Sequence, residues 1–143
     1  MHSYYFERAL FVVGEPNSGK SNQLRSMFRD FRLGTDGNIP RERNLPEFYR
    51  LSNERWLYLR LTSPHEAKES IGRRRGRNGP TNFLEKTAEK IEENTPRLGR
   101  RWNFAGALQP YSRHHMPDVV RTCRAFVSVL QSRADARCFP KPG

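Results

Sequence analysis

Short apolar runs and amphipathic stretches alternate along the chain. Ala9, Leu10, Phe11, Val12 and Val13 form a continuous apolar run closed by Gly14. A short run without polar alternation predicts a strand buried on both faces, as in a parallel sheet covered by helices. From Lys20 the period changes: Leu24, Met27, Phe28 and Phe31 fall at i, i+3, i+4 and i+7, one face of a helix. Arg25, Arg29 and Arg32 take the other side, the last two near the end where the helix dipole favours cations, and Gly34 supplies a terminator. Residues 34–55 contain Gly34, Gly37, Pro40 and Pro46 and predict a long loop with a short strand at 48–51.

Beyond that loop, Leu57, Leu59 and Leu61 alternate with Trp56, Tyr58, Arg60 and Thr62, the period of two that predicts a strand. Ser63, Pro64 and Glu66 then have the order of cap, first-turn proline and capping-box glutamate, which predicts a helix start. Asn82 and Glu85 suggest a second capping box, with Leu84, Ala88 and Ile91 lining a helix that stops near Pro96. Residues 101–109 predict another strand, with Trp102, Phe104 and Leu108 on one side. Pro117 and Asp118 open a last helix whose expected buried stripe is Val119, Val120, Cys123, Val127 and Leu130. This alternation selects an α/β fold. The expectation is a three-layer sandwich around a small, mostly parallel sheet, with fewer strands than such sheets commonly hold. Residues 1–136 read as a single domain and 137–143 as a flexible tail.

Composition adds a charge bias to this picture. The net charge is +11, and 21 of the 26 basic residues are arginine, whose planar fork suits phosphate oxygens. Nine Phe, five Tyr and two Trp provide enough bulk for one core, which argues against a disordered chain. Cys123 and Cys138 have no metal-ligand spacing; free thiols in a reducing, cytoplasmic compartment are the simplest account, with a single disulfide the alternative. The N-terminal residues lack the pattern of a secretory signal, and no stretch reaches membrane-spanning length.

The chemistry is concentrated in Gly14-Glu15-Pro16-Asn17-Ser18-Gly19-Lys20-Ser21, which satisfies G-x-x-x-x-G-K-S/T between the expected strand and helix. Triphosphate oxygens must be met by several backbone N–H groups at once, so the chain has to curl around them. Gly14 and Gly19 permit that conformation and a close approach. Lys20 brings a mobile positive charge to the β- and γ-phosphates, and Ser21 a hydroxyl to a bridging Mg²⁺. On these residues the sequence resembles the P-loop NTPase superfamily over positions 8–33. The resemblance implies ATP or GTP with Mg²⁺, phosphate binding by Gly14, Glu15, Pro16, Asn17, Ser18, Gly19, Lys20 and Ser21, and phosphoryl chemistry or a nucleotide-driven switch.

The Pro16-Asn17 pair is also similar to the first motif of translation-factor-type GTPases. The guanine-reading Asn/Thr-Lys-x-Asp is missing from the sequence, which makes ATP the expected nucleotide. A P-loop site also takes an acid to hold Mg²⁺. Glu66, four residues past the strand at 56–62 and so farther than such an acid usually lies, is the first candidate and Asp36 the second; Glu66 has a competing role as capping-box partner of Ser63, and Asp36 one in turn formation. Arg73, Arg74, Arg75 and Arg77 sit among glycines in a basic loop similar in composition to the arginine-bearing lid of small kinases. Arg74 is the arginine expected to act on a transferred phosphoryl group, beside Lys20. The same loop would also suit nucleic-acid phosphates, so the alternative to a small kinase-like phosphotransferase or ATPase is a basic nucleic-acid-associated module with a regulatory or vestigial P-loop.

Overall fold

The computed structural model describes residues 4–15, 18–29, 45–72 and 79–138, the side chains of 135–138 excepted. Within them lie four strands and three α-helices: β1 (Tyr5–Val13), α1 (Lys20–Arg25), β2 (Phe48–Ser52), β3 (Arg55–Arg60), α2 (Phe83–Asn94), β4 (Arg101–Leu108) and α3 (Val119–Cys138). A 3-10 turn over Ser26–Arg29 extends α1. The strands form one mixed sheet in the order β1-β4-β3-β2. β1, β4 and β3 are parallel, from Tyr5 opposite Arg101 to Val13 opposite Leu108 on one side of β4, and from Arg55 opposite Arg101 to Arg60 opposite Gly106 on the other. β2 is an antiparallel hairpin partner of β3, joined through Asn53 and Glu54, the latter at φ 63.

β4 is last among the strands in the chain yet sits between the first and the third. The crossover from β1 to β3 therefore runs in one direction across the sheet and the crossover from β3 back to β4 in the other. Right-handed crossovers of opposite direction place their helices on opposite faces, and the apolar side chains divide accordingly. Alternation along β4 sends Trp102 and Phe104 to one face, where they join Phe83, Leu84, Ala88 and Ile91 of α2 and Phe126, Leu130 and Ala134 of α3. It sends Ala105 and Ala107 to the other, with Leu24 of α1 and Phe28 of the 3-10 turn.

The Trp102 face holds the larger core, a nest of rings in which Phe126 lies 5.0 Å from Phe11, 4.9 Å from Phe104 and 5.5 Å from Phe83 between centroids. Trp102 is fully buried, and its indole N–H donates to Thr95 Oγ1 and the Gly99 carbonyl. That satisfies the polar end of an otherwise apolar ring.

Two expected features differ. No helix starts at Ser63. Residues 64–68 form a turn in which Ser63 Oγ accepts from the Glu66 amide, as a cap would, but Lys68 adopts φ 55 and ends the run after one turn. Ser70 then bridges to Asn82, which caps α2 by accepting from the amides of Leu84 and Glu85. The stripe expected on α3 is rotated: Thr122, Phe126, Leu130 and Ala134 are buried, whereas Val120 and Val127 are 55% and 40% exposed. The Phe126 ring has the larger apolar surface to lose, so it takes the inward position and displaces the valines.

Candidate functional site

Because β1, β4 and β3 run parallel, their C-terminal ends lie side by side on one rim of the sheet. β1 leads to α1 on one face while its neighbour β4 leads to α3 on the other. Between two such strands the chain departs in opposite directions and leaves a crevice, the usual ligand position in open α/β sheets. The residues of that crevice are Gly14, following β1, and Gln109, following β4; the Gly14 amide donates to the Leu108 carbonyl at 3.0 Å.

Glu15, Ser18 and Lys20 are drawn together after β1. The Glu15 carbonyl accepts from the Ser18 amide at 3.2 Å and from Lys20 Nζ at 2.7 Å, tying the loop's start to its end. Gly19 has φ 88, a left-handed conformation that a side chain would strain. A Cβ on Gly14 would stand 2.3 Å from Ser18 Oγ and 3.2 Å from Lys20 Cγ, so the loop closes tightly over this position. α1 begins at Lys20 with no side-chain cap and no acid in its first turn. Among the described residues no carbonyl accepts from the amides of Gly19, Lys20 or Ser21. Pro16 and Asn17 lie outside the described residues.

Lys20 is 5% exposed, and its ammonium is 4.0 Å from Glu66 Oε1. The turn after β3 thus brings Glu66 to the lysine, across more than forty residues of chain. Its backbone amide donates to Ser63 Oγ while its carboxylate faces Lys20. Ser21 Oγ accepts from Arg25 Nε at 3.3 Å. Ser21 and Glu66 are oxygen donors of the type that suits Mg²⁺. Among the described residues no group of three or more His, Cys, Asp or Glu side chains converges as a metal cluster. Asp36 and the basic loop residues Arg73, Arg74, Arg75 and Arg77 lie outside the described residues.

Two further side chains belong to this rim. Gln109 is 3% exposed, and its Nε2 is buried without a hydrogen-bond partner among the described residues. An unpaired buried amide is costly, of order 1–3 kcal/mol, and such groups mark sites where another partner belongs. His65 is fully buried; its Nε2 lies 3.1 Å from the Pro117 carbonyl and its Nδ1 accepts from the Gln109 amide at 3.4 Å. Those partners fix the tautomer, with the proton on Nε2. Burial holds the imidazole below its usual pKa; Lys20 and Arg113 push the same way, against the Pro117 bond and Glu66. Neither residue follows from a local motif. The one available signal is position: Gln109 directly follows β4, and His65 lies in the turn after β3.

A groove of about 720 Å³ lined by Leu10, Met27, Leu51, Leu57 and Ala105 lies on the α1 face, but no described residue of the 14–21 loop borders it. Among the described residues no helix is long and apolar enough to cross a membrane. Comparison with protein-family models, with curated proteins and with solved structures found no match.

Proposed function

We propose that the rim formed by Gly14, Lys20, Glu66 and Gln109 binds the phosphates of a nucleoside triphosphate, ATP in preference to GTP, and that the fold is a P-loop-type three-layer sandwich. The observation that carries this reading is the Lys20 ammonium: it is almost wholly buried, yet it is held over the loop by one carbonyl and a carboxylate at the limit of pairing distance. A buried cation so lightly compensated favours an incoming anion. The amides at 19–21, which no carbonyl among the described residues claims, and the left-handed Gly19 support the same reading. Mg²⁺, once bound between Ser21 and Glu66, would neutralise phosphate charge and orient the terminal phosphoryl group.

Within that reading the chain's own groups divide the work. The 14–19 backbone cradles the phosphates, Lys20 compensates their charge and Gln109 offers its unpaired amide from the neighbouring strand. A kinase-like phosphotransferase or a small ATPase is the activity proposed, with Arg74 the arginine that would meet the transferred phosphate. Calorimetry with Mg-ATP and Mg-GTP tests the binding, and a phosphate-release assay tests turnover. If binding appears only with RNA or DNA, weakens steeply with salt and ignores loss of Lys20, the basic nucleic-acid module replaces this proposal.

A further inference from the structure

We propose that His65 is a positioning residue, holding the Glu66 turn and the Gln109 strand end in register beside Lys20. The inference rests on the nucleotide-binding reading for its functional consequence, and on the geometry of three chain segments for the rest. The turn at 64–68 is closed by its own backbone, with Ala67 N donating to the Ser63 carbonyl at 3.1 Å and Glu69 N to the Pro64 carbonyl at 2.9 Å. Its far end is pinned by the Glu69 carboxylate, 2.6 Å from Arg60 and 3.5 Å from Lys86. Those bonds shape the turn and anchor it to β3 and α2. They do not set its distance from β4 or from the 14–21 loop.

His65 does. Its ring is fully buried and both nitrogens are used, one donating to Pro117 ahead of α3 and one accepting from Gln109 at the end of β4. The next residue, Glu66, is the one that reaches Lys20. A single planar group with a donor and an acceptor about two bond lengths apart thereby fixes the acid of one strand end against the amide of another. A primary amide has the same donor–acceptor pair at nearly the same separation, whereas an alkyl group has neither.

The experiment uses the full chain with His65→Leu and His65→Gln. Amide hydrogen exchange at Glu66 and Gln109 reads the clamp without any nucleotide. Calorimetry with ATP across a Mg²⁺ series reads its consequence for the site. His65→Leu is expected to speed exchange at both amides and to raise the Mg²⁺ needed for half-maximal ATP binding about 10-fold, within the 10–100-fold range typical for loss of a supporting partner. ATP affinity in EDTA should stay near wild type, a split that general destabilisation would not produce. His65→Gln should restore both readouts, and does so as the decisive variant if His65→Leu fails to fold.

Wild-type exchange and an unchanged Mg²⁺ requirement in His65→Leu would overturn the proposal, as would a His65→Gln protein no better than His65→Leu. If the wild-type chain binds no nucleotide, the proposed function falls by itself. Exchange at Gln109 and Glu66 still decides whether His65 registers the two segments.

Discussion

Replacing Lys20 by Met removes the ammonium while keeping an apolar stem of similar length. The magnitude follows from what the ammonium does before and after phosphate arrives. A hydrogen bond to a charged group contributes about 1.5–3 kcal/mol, which is roughly 10- to 150-fold in affinity. Against this stands the loss of its present partners, the Glu15 carbonyl at 2.7 Å and Glu66 at 4.0 Å. An ion pair at that separation is worth from about 1 kcal/mol in water to about 4 near a protein surface, and Glu66, 43% exposed, lies toward the weaker limit. The expected net effect is therefore in the lower half of the range, roughly 10- to 50-fold weaker Mg-ATP binding. The assay is calorimetric titration of wild type and Lys20→Met at one ionic strength, with thermal melts of both proteins. An affinity within twofold of wild type, in a variant that melts normally, would refute the role given to Lys20.

Three other outcomes are expected. Gly14→Val should weaken nucleotide binding about tenfold or more with little change in melting temperature, because the added branch meets Ser18 Oγ and then the Lys20 stem; Gly14→Ala, which Ser18 can evade by rotating, should be milder in the same titration. Phe126→Ala should cost about 3–5 kcal/mol in urea unfolding, since the ring touches Phe6, Phe11, Phe83 and Phe104 and leaves a cavity among them. Burial, followed by Glu47, raises the Tyr58 phenol to about 12. The unfolded chain, with its phenol near the ordinary value of 10, therefore releases this proton first, and stability falls as pH rises between the two values. The difference amounts to roughly 2–3 kcal/mol. Unfolding measured at pH 9, 10 and 11 should show a shallower alkaline decline in Tyr58→Phe than in wild type.

The sequence was most readable where one local rule decides the structure. Asn82 had a helix period behind it, and α2 lies where that pattern placed it. The apolar run from Ala9 to Val13 does lie in β1, but not in a strand buried on both faces: β1 is a sheet edge, and Leu10 and Val13 are 54% and 46% exposed, because the run carries no information about which strand takes the middle of the sheet. The 14–21 motif stands out in the sequence for a similar reason, because its glycines and lysine lie within eight residues of one another. Reading failed where distant parts of the chain compete for one position. On α3 the valines and Phe126 occupy different sides of the same helix, and periodicity alone does not say which side meets the sheet. The ring nest formed with Phe6, Phe11, Phe83 and Phe104 settles it. At Ser63 the capping signal was real and its bond forms, but a cap starts a helix only if the backbone can continue, and the positive φ at Lys68 stops it.

The other half of the candidate site illustrates the same limit. Glu66 was a candidate in the sequence as an acid four residues past the expected strand at 56–62, yet its facing Lys20 depends on β1 and β3 running parallel in one sheet, which no local pattern encodes. Gln109 and His65 carry no motif at all; they become neighbours because two parallel strands end together. In the proposed site, then, a linear motif would specify the phosphate cradle, while the groups set beside it are specified only by sheet order. It follows that altering the 14–21 loop should chiefly change whether an anion binds. Altering residues 65, 66 and 109 should chiefly change which metal–phosphate arrangement the bound anion adopts.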